Sequence, residues 1–94
     1  MTQERVEYRV HALQRMWQRS ITPKEVSIVL TEGAVLEEYL TDTPYPSRLL
    51  FGVVNNRPLH IVAAYNDEEE TIVVVTVYQP DLLNWKSGFR ERRK

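Results

Sequence analysis

The sequence contains no cysteine. That excludes disulfides, thiolate nucleophiles and cysteine-ligated zinc. Glycine is scarce. Gly33, Gly52 and Gly88 stand too far apart to form a phosphate-cradling loop, and no serine elbow is present. The only histidines are His11 and His60. With acids scattered along the chain they make a poor ligand set, so neither a metal nor any other cofactor is expected. No window approaches the roughly 20 apolar residues that span a bilayer. The N-terminus shows no charged-then-apolar leader. The expected location is the cytoplasm, with no membrane partner.

The 94 residues are expected to form a single α+β domain, 1–94, since two would need a longer chain. Apolar residues make up 43%, enough for one modest core. The net charge of -1 hides an asymmetry. From Lys86 onward Lys86, Arg90, Arg92, Arg93 and Lys94 face one acid, Glu91, giving 5 − 1 = +4 and leaving -5 for the rest. Acid collects at Glu37, Glu38, Asp42 and across 67–70. A basic terminus on an acidic body suggests a local anionic contact, or else a solvated tail.

The most informative stretch is Thr71 to Pro80, TIVVVTVYQP. Its β-branched run lacks the alternation of a half-wet strand, so it reads as a central strand buried on both faces, with Val73, Val75 and Val77 under helices. Pro80 ends it.

The residues before it divide into two helices and a meander. Met1 to Arg9 is ambiguous: Val6, Tyr8 and Val10 alternate like a strand, yet Val6, Val10, Leu13 and Trp17 also fit a helix. From His11 to Arg19 a helix is clearer, with Val10, Leu13, Met16 and Trp17 as its apolar stripe. Thr22, Pro23 and Glu25 form a capping-box start for a second helix, which turns Val26, Val29 and Leu30 inward. Gly33 is placed to end it in a left-handed conformation. Strands are expected over 35–40, 48–54, 59–65 and 71–78. The first two are joined by the proline-bearing loop 42–47, the next by Asn55-Asn56, and the last by the acidic loop 66–70. The architecture is then two N-terminal helices on one face of a four-stranded, mainly antiparallel sheet, with a basic C-terminal extension.

Closing the acidic loop with Tyr65 opposite Thr71 puts His60 opposite Thr76. His60, Thr76 and Tyr78 then share the face away from the helices, unless a bulge intervenes. Histidine is the side chain best suited to moving protons near neutral pH. A histidine inside the run LHIVAAY also suits a half-buried structural role, and His11 suits a surface one. As chemistry, the set fits metal-independent cleavage of an RNA phosphodiester. His11, His60 and Tyr78 would transfer protons, and Arg15, Arg48, Arg90, Arg92 and Arg93 would hold phosphate.

A resemblance adds to this. His11-Ala12, Arg15-Met16, Arg19, Ile21-Thr22, Glu25-Val26, Gly33, Tyr39 and Pro46-Ser47 run in order along the chain. They are followed by Arg57-Pro58-Leu59-His60-Ile61-Val62, Thr76-Val77-Tyr78, Pro80-Asp81, Trp85, Phe89 and Arg92-Arg93. In this order the chain resembles the bacterial family called domain of unknown function 4258, and through it the RelE/ParE/BrnT-like toxins. The resemblance implies a small α+β toxin fold and messenger-RNA cleavage. It also implies a cognate antitoxin, a small zinc-finger protein of the YgiT or MqsA type. In RelE-like nucleases sheet arginines and a tyrosine near the C-terminus act on the phosphate, and Tyr78 and the tail arginines are similar in kind. The expected function is thus a toxin-type endoribonuclease. The alternative is a non-catalytic interaction module, for instance a small homodimer, with structural histidines.

Overall fold

The computed structural model describes residues 5–93. In chain order the elements are β1 (Arg5–Tyr8), α1 (Val10–Arg19), α2 (Pro23–Glu32), β2 (Ala34–Tyr39), β3 (Ser47–Val54), β4 (Arg57–Asn66) and β5 (Thr71–Tyr78). The sheet has five strands in the order β1-β5-β4-β3-β2. The expected four strands are present within a residue or two of their limits. The fifth is β1, where alternating Val6 and Tyr8 took the strand option and pair parallel with β5. The sheet is therefore mixed, and β5 is interior, paired with β1 on one side and β4 on the other. Among the described residues no helix is long and apolar enough to cross a membrane.

Both helices lie on one face. Ala12, Met16, Ile21, Val26 and Val29 pack with Leu50, Val54, Leu59, Ile61, Ala63, Ile72, Val74 and Val77 into one core. The α1 stripe differs from expectation. Ala12 and Met16 are buried, while Val10, Leu13 and Trp17 are 66%, 48% and 87% exposed. The small Ala12 lets α1 approach the sheet closely, and the helix settles on that side rather than on its bulkier one.

α2 starts as its sequence dictates. Glu25 N–H donates to the Thr22 hydroxyl at 3.1 Å, and Thr22 N–H donates back to the Glu25 carboxylate at 2.9 Å. It ends differently. Gly33 is extended, at φ -70 and ψ 161. Glycine is needed there for space, since a Cβ would lie 2.5 Å from the Val29 carbonyl oxygen and 2.9 Å from that of Phe51. The left-handed cap belongs instead to Ser20, which closes α1 at φ 54.

An ion pair between buried Glu25 and half-buried Arg57 ties the helices to the sheet. Glu25 accepts from Arg57 at 3.0 Å and from Asn55 at 3.1 Å, so the tight β3–β4 turn is fastened to the start of α2. Arg57 also donates to the carbonyls of Arg19 and Ser20 at the end of α1. The Thr22 backbone N–H, then Arg57 and Asn55, lower the Glu25 pKa to about 2.

The β4–β5 register sets the site. Asn66 pairs with Thr71, one step from the expected closure, and a one-step shift alone would turn His60 and Tyr78 to opposite faces. A bulge between Val62 and Ala63 takes up a second step at Val75. The net shift of two restores parity and leaves His60 directly opposite Tyr78, with Thr76 opposite Val62. Val75 is the bulged residue. It is 38% exposed rather than under the helices, and Val73, opposite Ala64, is buried on the helix-free face, so of the three valines expected under the helices only Val77 lies in the helix-side core.

Two outcomes follow for stability. Val77→Ala should cost about 2 kcal/mol in urea denaturation through the cavity it leaves, and Val75→Ala should cost less than about 1 kcal/mol. Glu25 has its pKa depressed on folding. Its contribution is therefore complete above its unfolded value of 4.5 and is lost as pH falls toward about 2. Glu25→Gln should remove roughly 3 kcal/mol at neutral pH and flatten the loss of stability across that acid window.

Candidate functional site

The face of the sheet opposite the helices carries the candidate site. Glu37 and Tyr39 from β2, Phe51 from β3, His60 from β4, and Thr76 and Tyr78 from β5 point to this side by strand parity. The helix side takes the alternate positions, such as Leu50, Ile61 and Val77. The expectation that His60, Thr76 and Tyr78 share the helix-free face holds, and His60 and Tyr78 are in contact.

The chain then folds back over this face. Pro80 ends β5, and the Asp81 carboxylate accepts the N–H groups of Leu83 and Asn84, turning the chain. Residues 84–93 form a small irregular hairpin. Trp85 bridges Arg92, Lys86 N–H donates to the Glu91 carbonyl at 2.8 Å, and Arg93 N–H donates to the Asn84 carbonyl at 2.8 Å. Its turn needs positive φ at Gly88 (90°) and Phe89 (60°). Glycine takes this freely, whereas a bulky aromatic seldom does. The strain at Phe89 aims its carbonyl inward.

That carbonyl meets His60. Nε2 of His60 lies 2.7 Å from the Phe89 oxygen, and Nδ1 lies 3.0 Å from the Tyr78 hydroxyl. A carbonyl can only accept, so Nε2 bears the proton. Nδ1 of the neutral ring is then bare and accepts the Tyr78 O–H. The imidazole is boxed by aromatic edges, with ring centroids 4.3 Å from Trp85, 5.1 Å from Tyr78 and 5.6 Å from Phe51. His60 is 0% exposed and Trp85 is 3% exposed. Burial lowers the His60 pKa, with Arg92 adding to the effect and the Phe89 carbonyl and Glu37 opposing it. Burial raises that of Tyr78, so its hydroxyl stays protonated.

A second cluster adjoins the first. Arg92 grips Glu37 through two hydrogen bonds, Nε to Oε2 at 3.0 Å and Nη2 to Oε1 at 3.2 Å. Tyr39 donates to the same carboxylate, and the Arg92 guanidinium lies over the Trp85 ring at 4.6 Å. Arg92, then Tyr39, hold the Glu37 carboxyl below its ordinary pKa. Arg90 lies over Phe51 at 5.0 Å.

The other expected site residues are elsewhere. His11 and Arg15 stand on α1, across the sheet from His60. Arg48 opposes Ala63 on the helix side, where it stacks on Tyr65 and pairs with Glu38. Arg93 bonds the Leu82 carbonyl within the tail. Tail arginines do fold back onto the face of His60 and Tyr78, through Arg90 over Phe51 and Arg92 over Trp85. Glu37, Tyr39, Trp85 and Phe89 are the residues that sequence reasoning left without a role. The spacing Glu37-x-Tyr39 on one strand face was the available signal for the first two.

Surface hollows of about 100, 170, 240 and 370 Å³ among the described residues do not have His60 or Tyr78 in their walls, although the one of 170 Å³ borders the same face at Val62 and Ala64. Among the described residues no group of three or more potential ligands could hold a metal ion. The site as it stands is a covered, hydrogen-bonded histidine–tyrosine pair beside an arginine–carboxylate clasp.

Residues 8–79 match the family described as Domain of unknown function (DUF4258). The chain belongs to the DUF4258 family. The match takes in His60, Tyr78, Glu37 and Tyr39 and ends just before Pro80, so the covering segment of this DUF4258 protein lies beyond it. No curated protein and no solved structure matches the chain.

One measurement tests the buried histidine. Its folded pKa is below the ordinary 6.5, so its contribution to stability is complete above that value and is lost as pH falls below it. Urea denaturation should show wild-type stability declining as pH drops below about 6.5. His60→Gln should be less stable overall and flat across the same window. An equal decline in both proteins would mean that His60 is not the group responsible.

Proposed function

We propose that this protein is a toxin-type endoribonuclease that cleaves RNA by metal-independent acid–base chemistry. The observation that carries the reading is the Tyr78 hydroxyl on Nδ1 of His60, with Nε2 fixed by the Phe89 carbonyl and Arg92 alongside. This is the order of parts in which one group meets the substrate, a second takes its proton, and a third fixes the tautomer of the second.

In this reading Tyr78 is the group that meets RNA. The ribose 2′-hydroxyl attacks phosphorus. Its proton passes to the Tyr78 oxygen while Tyr78 passes its own to His60 Nδ1. The return path protonates the departing 5′-oxygen, leaving a 2′,3′-cyclic phosphate and a free 5′-hydroxyl. The depressed pKa of His60 makes the imidazolium a ready donor for that return step. Arg92 and Arg90 would face the charge on the phosphorane. His11, Arg15 and Arg48, on the other side of the sheet, have no part in it. The likeness to RelE/ParE/BrnT-type toxins supports the same reading. It brings with it a cytoplasmic setting and a cognate antitoxin of the YgiT or MqsA zinc-finger type.

A second reading is a non-catalytic interaction module. It is favoured by the complete burial of His60 with both nitrogens bonded, and by the exposed Val10, Leu13 and Trp17 on α1, a face suited to a protein partner or a second copy of the chain. Induced expression separates the two. A nuclease should arrest growth and degrade messenger RNA. Tyr78→Phe should lower cleavage about 10²- to 10⁴-fold while costing only about 1 kcal/mol of stability from the lost hydrogen bond. Intact RNA and normal growth with the wild-type chain would leave the interaction module.

A further inference from the structure

The segment 80–93 covers His60, and the way it is held differs from the way the core is held. Its one deeply buried large side chain is Trp85, while Leu82 and Leu83 are 53% and 87% exposed. Beyond the Trp85–Arg92 bridge it has no regular secondary structure. Its far end is fastened by the Arg92–Glu37 clasp, whose arginine side chain is half exposed. Arg90 has no carboxylate partner among the described residues and lies only over the Phe51 ring. The sheet surface beneath the cover bears a histidine, two tyrosines and a carboxylate, from β2, β4 and β5.

We propose that the C-terminal segment is a displaceable cover, released when RNA phosphates take Arg90 and Arg92 away from Phe51 and Glu37. A phosphate diester offers the guanidinium of Arg92 the same two-oxygen fork that Glu37 now supplies, so one can replace the other. Losing the clasp leaves Trp85 and the hydrogen bond from His60 to the Phe89 carbonyl as the main anchors. Withdrawal of Trp85 and Phe89 then bares the His60 imidazole and the Tyr78 hydroxyl together, and the Tyr78 O–H on Nδ1 keeps the ring in the tautomer that the Phe89 carbonyl had set. The RNA that binds the tail thereby uncovers the groups that act on it. This rests on the reading of Tyr78 and His60 as an RNA site, but its test does not need cleavage.

The test is the rate at which diethylpyrocarbonate modifies His60, read by peptide mass in a His11→Gln background where His60 is the only histidine. A short 2′-O-methyl oligouridylate, which lacks the attacking hydroxyl, serves as the RNA probe. Labelling should be slow in the protein alone. It should rise about tenfold on adding the oligonucleotide, and by a similar factor in Glu37→Gln without it. Labelling is compared below the melting transition of each protein, and Arg92→Gln opens the clasp from its other side should Glu37→Gln fail to fold. Equal, slow labelling throughout would make the segment a fixed wall and overturn the proposal. Acceleration by Glu37→Gln or Arg92→Gln but not by the oligonucleotide would overturn RNA as the releasing ligand. Accelerated labelling without RNA cleavage in cells would keep the cover and remove the nuclease. Cleavage with a never-labelled His60 would do the reverse.

Discussion

Two hydrogen bonds to one imidazole hold the helix-free side of this protein together. His60 joins β4 to β5 through Tyr78 and to the C-terminal segment through Phe89. Remove it, and Trp85 loses the ring it packs against while the Phe89 carbonyl is left without a donor. A buried polar ring of this kind is costly unless both nitrogens are paired. Satisfying Nε2 is therefore a constraint on the tail. It accounts for the left-handed Phe89, whose strained backbone turns the carbonyl to the only place where it is needed. Polar specificity, rather than buried apolar area alone, fixes where the last residues of the chain lie.

On the other side of the sheet the same logic operates around a charge. The Glu25 carboxylate gathers the start of α2, the β3–β4 turn and, through Arg57, the end of α1. Isolated, either member of the pair would be expensive to bury. Together they replace water with four protein partners. The two faces are thus pinned by different chemistry, a neutral imidazole and an ion pair, and lose their hold in different ranges of pH.

Much of this was legible in the sequence. The capping box at Thr22 and Glu25, the Asn55-Asn56 turn and the interior β5 are local patterns with local causes, and the structure follows them. What was not legible depended on long-range facts. The strand option for Arg5–Tyr8 was decided by a parallel partner some 66 residues away in sequence, since Arg5 pairs with Thr71. Of the apolar stripe expected on α1 only Met16 is buried, because amphipathicity cannot say which side of a helix meets the sheet, and the small Ala12 decided that. The shared face of His60 and Tyr78 was inferred from a loop closure that was off by one step. A bulge at Val75 made up the difference. The tail's basic charge pointed to an anionic partner, and for Arg92 the structure supplies one within the chain itself, Glu37.

The two tryptophans sit at opposite extremes of environment, Trp17 at 87% exposure and Trp85 at 3%. The chain therefore carries its own optical contrast. The indole of Trp17 emits from water and is open to collisional quenchers. That of Trp85 emits from a dry aromatic box with an imidazole edge at its ring, where a protonated neighbour would extinguish it. One emission spectrum superposes the two, and only its blue component registers where the tail is.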